Sequence, residues 1–186
     1  EALAANIFWE APFVHPSVMF DRDVVLQAGG YADGPFPEDY ELWLRLHARG
    51  ARFMRLATPL LSWRQHPGSL SRTDSRYSQS GFDSVRVRYL CQHLRGRGVN
   101  TVVVWGAGRR TRKRARALLA ENLDIVAWID IDPLKVGKTL NGIPVHAPSW
   151  LCGRDAVVLA YVRAHGARAL IANELEQMGL RAGHEY

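Results

Sequence analysis

The chain has 186 residues, of which 47% are hydrophobic, 23% charged and 10% aromatic, and it carries a formal net charge of +6. That length fits one large domain or two small ones at about 100 to 200 residues each, and the composition supplies a core, which excludes a disordered tail. No apolar run approaches the ~20 residues of a membrane-spanning helix, so the chain reads as soluble or at most peripheral to a membrane.

The start, Glu1 to Glu10, lacks an initiator Met and a leader pattern, and the chain is expected to begin inside a longer reading frame. Val14 to Phe20 reads as a buried strand, and Asp23 to Ala28 as a short helix stopped by Gly29-Gly30. Glu38 to Arg49 carries agreeing helix signals: Pro37 before the start, Glu38 and Asp39 at the positive end of the dipole, Leu42, Trp43 and Leu46 as a buried face, and Gly50 as the stop. Arg52 to Leu56 and Leu60 to Trp63 read as short strands around Thr58-Pro59. The polar stretch Ser71 to Gly81 reads as loop, and Asp83 to Arg95 as a linking helix with Val87, Leu90, Cys91 and Leu94 at helical spacing. Beyond Gly98, Thr101 to Trp105, Ile125 to Asp130 and Ala156 to Ala160 read as strands, alternating with helices over Arg109 to Glu121 and Gly166 to Met178. The expected class is α/β, with a first domain over 1–75, a linker helix over 76–98 and a parallel-sheet domain over 99–186.

The two cysteines, Cys91 and Cys152, lack metal-type spacing and fit free thiols in the cytoplasm. The positive charge is localised: no acid occurs between Ser84 and Ala120, while Arg109, Arg110, Arg112, Lys113, Arg114 and Arg116 crowd one helix. Cations in the first turns oppose the helix dipole, a conflict that a phosphate at Gly106 to Arg110 would resolve. A solvated arginine-rich face accounts for the same residues. Nucleic acid is disfavoured, because no reader helix, zinc site or aromatic platform accompanies the run.

Four blocks in the first segment carry more. His15-Pro16-Ser17-Val18-Met19-Phe20, Gly29-Gly30-Tyr31, Glu38-Asp39-Tyr40-Glu41-Leu42-Trp43-Leu44-Arg45 and Trp63-Arg64-Gln65-His66-Pro67-Gly68-Ser69 resemble, in order, the acceptor half of family 2 glycosyltransferases with the GT-A fold. The resemblance implies a partial GT-A acceptor lobe in an enzyme that moves a sugar, with inversion, from a nucleotide-diphosphate sugar to a glycan or lipid-linked acceptor in polysaccharide biosynthesis. It implies Asp39 as the base that takes the acceptor hydroxyl proton, with Glu38 positioning loop or acceptor. The dipole at the helix start is expected to keep Asp39 ionised. Both acids would serve equally well as helix caps. His66 is the implied contact to a diphosphate or its Mn or Mg ion, and a surface-loop histidine otherwise. The family's donor-binding half, with its Asp-x-Asp motif, is not found: Asp21-Arg22-Asp23 reads as a helix start, and Asp130-Ile131-Asp132 ends a strand of the other domain. The expectation is a fragment inactive by itself, whose partner is that N-terminal half.

In the second segment Val102-Val103-Val104-Trp105-Gly106-Ala107-Gly108-Arg109-Arg110-Thr111 is strand, Gly-x-Gly turn and helix start, the context a Rossmann fingerprint needs, although Thr111 stands where the third Gly belongs. Asp130 follows at the end of the next strand, placed to hold a ribose. Together with Ile129 to Pro133 and Gly142-Ile143-Pro144-Val145 this resembles the small Rossmann-like domain of sugar O-acyltransferases and polysaccharide-biosynthesis epimerases. The implied ligand is NAD(P), a nucleotide or a nucleotide-sugar, bound by Gly106, Gly108, Arg109, Arg110 and Asp130. A Tyr-x-x-x-Lys pair is missing from the segment, so dehydrogenase or epimerase chemistry is not implied. The competing function is a nucleotide or nucleotide-sugar binding module without catalysis.

Overall fold

The computed structural model describes residues 6–162, 164 and 166–181. The first and last five residues of the expected domains 1–75 and 99–186 therefore lie outside the described residues. The chain divides into two compact units, Glu1–His93 and Leu94–Tyr186.

In the first unit, helix α1 (Arg22–Gln27) starts at Asp21, whose Oδ1 accepts from the N–H groups of Asp23 at 2.8 Å and Val24 at 3.2 Å. That capping role accounts for the first Asp-x-Asp triplet. Gly29 and Gly30 leave the helix at φ 97° and 67°, a left-handed pair that only glycine adopts without cost. Helix α2 (Glu38–Ala48) is buried from Asp39 through Leu44 and again at Leu46, so it is a central helix with little exposed face. Ile7, Val25, Ala28, Val85 and Tyr89 pack around it, and Tyr40 Oη donates to the Ile7 carbonyl at 2.7 Å.

Val85 and Tyr89 belong to α3 (Gln79–Gly96), so the helix expected as a linker supplies core to the first unit, whose boundary falls after His93. The preceding polar stretch, expected as loop, forms a single helical turn at Leu70–Thr73 and a 3-10 turn at Ser75–Tyr77.

Three expected strands are not formed among the described residues of this unit. Val14 to Phe20 holds a 3-10 turn, His15–Ser17, because Pro16 fixes φ and has no N–H for a ladder. Residues 52–56 and 60–63 run as coil, exposed apart from the half-buried Phe53 that packs on the core, with Met54 80% and Leu60 74% accessible. Their apolar and aromatic content is compatible with strands, but no strand lies beside them among the described residues, and a lone strand leaves its backbone unpaired.

The second unit is a five-stranded, mostly parallel sheet in the order β3-β4-β2-β1-β5. Strands β1 (Thr101–Trp105), β2 (Asp124–Ile129), β4 (Ile143–His146) and β5 (Val158–Ala160) are parallel, and β3 (Thr139–Leu140) pairs antiparallel with β4. Period-two alternation divides β1. Val103 and Trp105 join Ala127, Ile129, Val158 and the α5 (Ala167–Gln177) residues Ile171 and Leu175 on one face. Val102 and Val104 turn to the other face, on which α4 (Arg109–Ala120) packs through Ala115 and Leu118. The β3–β4 hairpin was not expected. Its signal was Asn141-Gly142, at φ 54° and 78°, the two-residue turn that antiparallel hairpins favour.

These pairings make the second unit an α/β, Rossmann-like domain. After β2 and β4 the chain returns to place β5 on the far side of β1, so the strand order reverses at the carboxyl end of β1. Ligands of open parallel sheets bind at such a switch point. No helix among the described residues is long and apolar enough to cross a membrane.

Candidate functional site

The first unit gathers its chemistry at the start of α2. Asp39 is 9% exposed, and its Oδ1 accepts from the Tyr40 N–H at 2.7 Å. Burial raises its carboxyl above the ordinary range; the Tyr40 N–H and the nearby His15 oppose the shift, and the Glu38 charge adds to it. The helix start was expected to favour the carboxylate; here the loss of solvent outweighs that preference and shifts the carboxyl the other way. His15 Nε2 and Tyr31 Oη are hydrogen-bonded at 2.8 Å, and the Tyr31 phenol is raised by burial and by the charges of Asp39 and Glu38. Asp39, His15 and Tyr31 therefore share one electrostatic neighbourhood. Trp43 backs the imidazole at 6.5 Å between ring centres and also meets Phe13 and Phe20, and its Nε1 is buried without a hydrogen-bond partner.

A buried ion pair fixes the turn that carries Tyr31. Glu41, 2% exposed, accepts from Arg45 Nη2 at 2.7 Å and from Tyr89 Oη at 2.6 Å. Burial pushes the Glu41 carboxyl up, but the bonds from Arg45 and Tyr89 and the charges of Arg45 and Arg88 together hold it below the ordinary value. Arg45 then donates to the carbonyls of Ala28 and Gly30, the latter at 2.7 Å, and so clamps the Gly29-Gly30 turn. The i, i+4 spacing of Glu41 and Arg45 was a legible signal for this pair.

Glu38 lies apart from that clamp. Its Oε1 accepts from Tyr77 Oη at 2.7 Å, and Arg76 Nη1 stands 3.8 Å from Oε2. Tyr77, Arg76 and Tyr89 were missed from sequence, being single residues in a polar stretch and on an expected linker. His66 lies in an exposed loop, its N–H donating to Ser69 Oγ at 3.2 Å. Among the described residues no three His, Cys, Asp or Glu side chains converge as a metal site. The donor set of the described residues does not fit a complete Mn or Mg site, and His66 could contribute one ligand at most.

In the second unit Gly106, Gly108, Arg109 and Arg110 stand at the switch point, with the helix N-terminus at Gly108. Gly106 has φ 111°, and a Cβ there would lie 2.7 Å from Val162 Cγ2 and 3.2 Å from the Thr111 side chain. The space beneath the turn is thus filled by protein. Asp130, 8% exposed, accepts from the Ala107 N–H at 2.8 Å, the Asp132 N–H at 3.0 Å and Lys135 Nζ at 3.3 Å. A ribose hydroxyl would have to compete with these internal donors, so the acid fits a dinucleotide poorly. Arg109 and Arg110 are exposed, whereas Arg114 lies against the Tyr161 ring at 5.1 Å.

No family model matches the chain, and no solved structure matches it. The chain is 37% identical over 76 residues to the O-antigen biosynthesis glycosyltransferase WbnJ of Escherichia coli, a match that covers 40% of this chain and 30% of that relative.

Proposed function

We propose that the chain is part of an inverting, family 2-like glycosyltransferase of polysaccharide biosynthesis, in which Asp39 takes the proton of the acceptor hydroxyl. The observation that carries the reading is the buried Asp39 carboxyl, raised in proton affinity beside the His15–Tyr31 pair. A base must hold a proton well enough to remove it from a hydroxyl yet be free of it at neutral pH, and burial moves a carboxylate in that direction. The similarity to an O-antigen glycosyltransferase supports the same reading.

The acceptor hydroxyl would lie against Asp39. As its oxygen attacks the anomeric carbon, the proton passes to Asp39 and the nucleotide diphosphate leaves from the opposite face. His15 and Tyr31 would shape the acceptor side of the site, and the Glu41–Arg45 pair would keep Tyr31 in place. The exposed run from Met54 to Trp63 is read as the edge that a donor-binding half would cover, so nucleotide-sugar binding and any divalent metal belong to that half. The test is Asp39→Asn in the full-length protein, assayed with acceptor and nucleotide-sugar. Transfer should fall by about 10²- to 10⁴-fold while donor affinity stays unchanged; normal turnover would end the assignment.

A second reading concerns the Rossmann-like unit alone, as a module that takes the diphosphate of a nucleotide or nucleotide-sugar. The switch-point position of Gly106 to Arg110 and the two exposed arginines favour it.

A further inference from the structure

Glu38 and Asp39 are adjacent on the first turn of one helix, and neither spacing nor dipole tells them apart. The segment after residue 73 does. Asp74 Oδ1 accepts from the Arg76 N–H at 2.8 Å and so starts the 3-10 turn, while its Oδ2 takes Arg76 Nε at 2.9 Å and Nη2 at 2.7 Å. With its guanidinium anchored, Arg76 presents Nη1 to Glu38 Oε2 at 3.8 Å, and Tyr77 Oη donates to Oε1 at 2.7 Å. Glu38 Oε2 is itself buried without a hydrogen bond. The strap is tied down further on. A Cβ on Gly81 would lie 2.2 Å from the Arg76 carbonyl oxygen and 3.3 Å from that of Pro35, so the backbones of strap and loop meet where only glycine fits. Phe82 meets both the Tyr77 ring at 6.4 Å and the buried Tyr40 ring at 5.6 Å.

We propose that Tyr77 is a positioning residue: its hydroxyl fixes Glu38 as a structural anion at the mouth of α2, leaving Asp39 to take the acceptor proton. The proposal rests on the reading of Asp39 as the base. The charged and titratable groups around the pair are His15, Tyr31, Tyr77 and Glu38 facing Asp39, and Tyr77, Tyr31 and Arg76 facing Glu38. A carboxylate bound by a phenol and held near an anchored guanidinium is restrained from swinging toward its neighbour. Its charge still lies close enough to help raise the Asp39 carboxyl.

Two measurements test this separately from the transferase reading. In the intact 186-residue chain, ¹³Cζ-tyrosine NMR should show the Tyr77 phenol staying protonated above the ordinary tyrosine range. Burial and the bond to Glu38 are the leading causes, and Glu38→Gln should bring it back down. In the full-length protein, Tyr77→Phe should lower kcat about tenfold or more with donor KM unchanged, and move the acid limb of the pH profile to higher pH as the freed Glu38 carboxylate swings toward Asp39. A purely structural role for the hydroxyl would change the melting temperature and leave that limb where it was. A Tyr77 phenol that titrates with ordinary tyrosines and ignores Glu38→Gln overturns the pairing. Wild-type kcat and pH profile in Tyr77→Phe overturn the positioning role. Absence of transfer by wild-type full-length protein, with the NMR pairing intact, overturns the transferase reading and with it the role assigned to Tyr77.

Discussion

Asp39 and Asp130 are both buried acids beside the N-terminus of a helix, and their surroundings differ. Asp130 spends its oxygens on Ala107, Asp132 and Lys135, all within its own domain, and thereby ties the Gly-x-Gly turn to the end of β2. Asp39 accepts the Tyr40 N–H and otherwise faces His15, Tyr31 and Glu38, with a carboxyl that burial makes reluctant to ionise. An acid whose capacity is consumed at home stabilises a fold. One left short of partners in a buried place is strained toward chemistry. Residue type and position relative to a helix were alike in the two cases; the partners made the difference.

The largest effect is expected at Asp39. Asp39→Asn should cut transfer by about 10²- to 10⁴-fold and also raise stability at neutral pH, because the amide keeps the shape without the cost of burying a charge. The sign follows from the raised carboxyl: its stabilising contribution is present at low pH and is lost as pH rises through its folded value. Urea unfolding at pH 7 should find the variant more stable than wild type; a destabilised Asn variant would place Asp39 with Asp130 among the structural acids.

Glu41→Ala is the next largest effect and concerns stability. Removing one partner of a buried pair leaves Arg45 facing Ala28 and Gly30 alone, and such a loss costs about 3 to 5 kcal/mol. The pH sense is opposite to that of Asp39. Glu41 is held below its ordinary value, so its contribution is present above the unfolded value and is lost as pH falls through the folded one. Acid titration followed by circular dichroism should lose the wild-type low-pH transition in Glu41→Gln.

In the second unit the matching change is Asp130→Ala, which leaves the buried Ala107 N–H without an acceptor and should cost about 1 to 3 kcal/mol. Gly106→Ala falls in the same range, since it places a side chain at φ 111° and against Val162. Denaturant midpoints measure both, and a neutral Asp130→Ala would return that acid to the pool of ligand-binding candidates.

Much of the second unit was legible because its residues repeat a rule. β-branched runs mark β1 and β2, a glycine turn precedes α4, and helix alternates with strand, so each element's signal lies within its own sequence. The first unit was less legible for the converse reason. Helices α1 and α2 carried caps and stops, but the strands expected at 52–56 and 60–63 depend on neighbours that local pattern does not supply. The acidic pair could be located from sequence, whereas its division of labour could not, because it rests on Tyr77 and Arg76 nearly forty residues away. The upward shift of the Asp39 carboxyl was not legible for a similar reason: the dipole is read from position in a helix, while burial is set by everything packed around it.

The smallest expected effect sharpens the comparison from the Asp130 side. If that acid is committed to the turn, the switch point recognises phosphate charge and leaves the ribose to solvent. UDP, NAD and inorganic pyrophosphate should then bind with similar affinity, and at a concentration tenfold above Kd each would add about 1.4 kcal/mol to stability. Contacts made through the exposed Arg109 and Arg110 and the start of α4 should weaken strongly as salt is raised. Gly108 offers a control, because a Cβ there meets nothing within 4 Å: Gly108→Ala should keep binding, and Gly108→Trp should fill the approach and lose it. NAD binding far more tightly than pyrophosphate would mean that Asp130 leaves Lys135 for the ribose. Silence from all three ligands in calorimetry would leave the arginines as a solvated face.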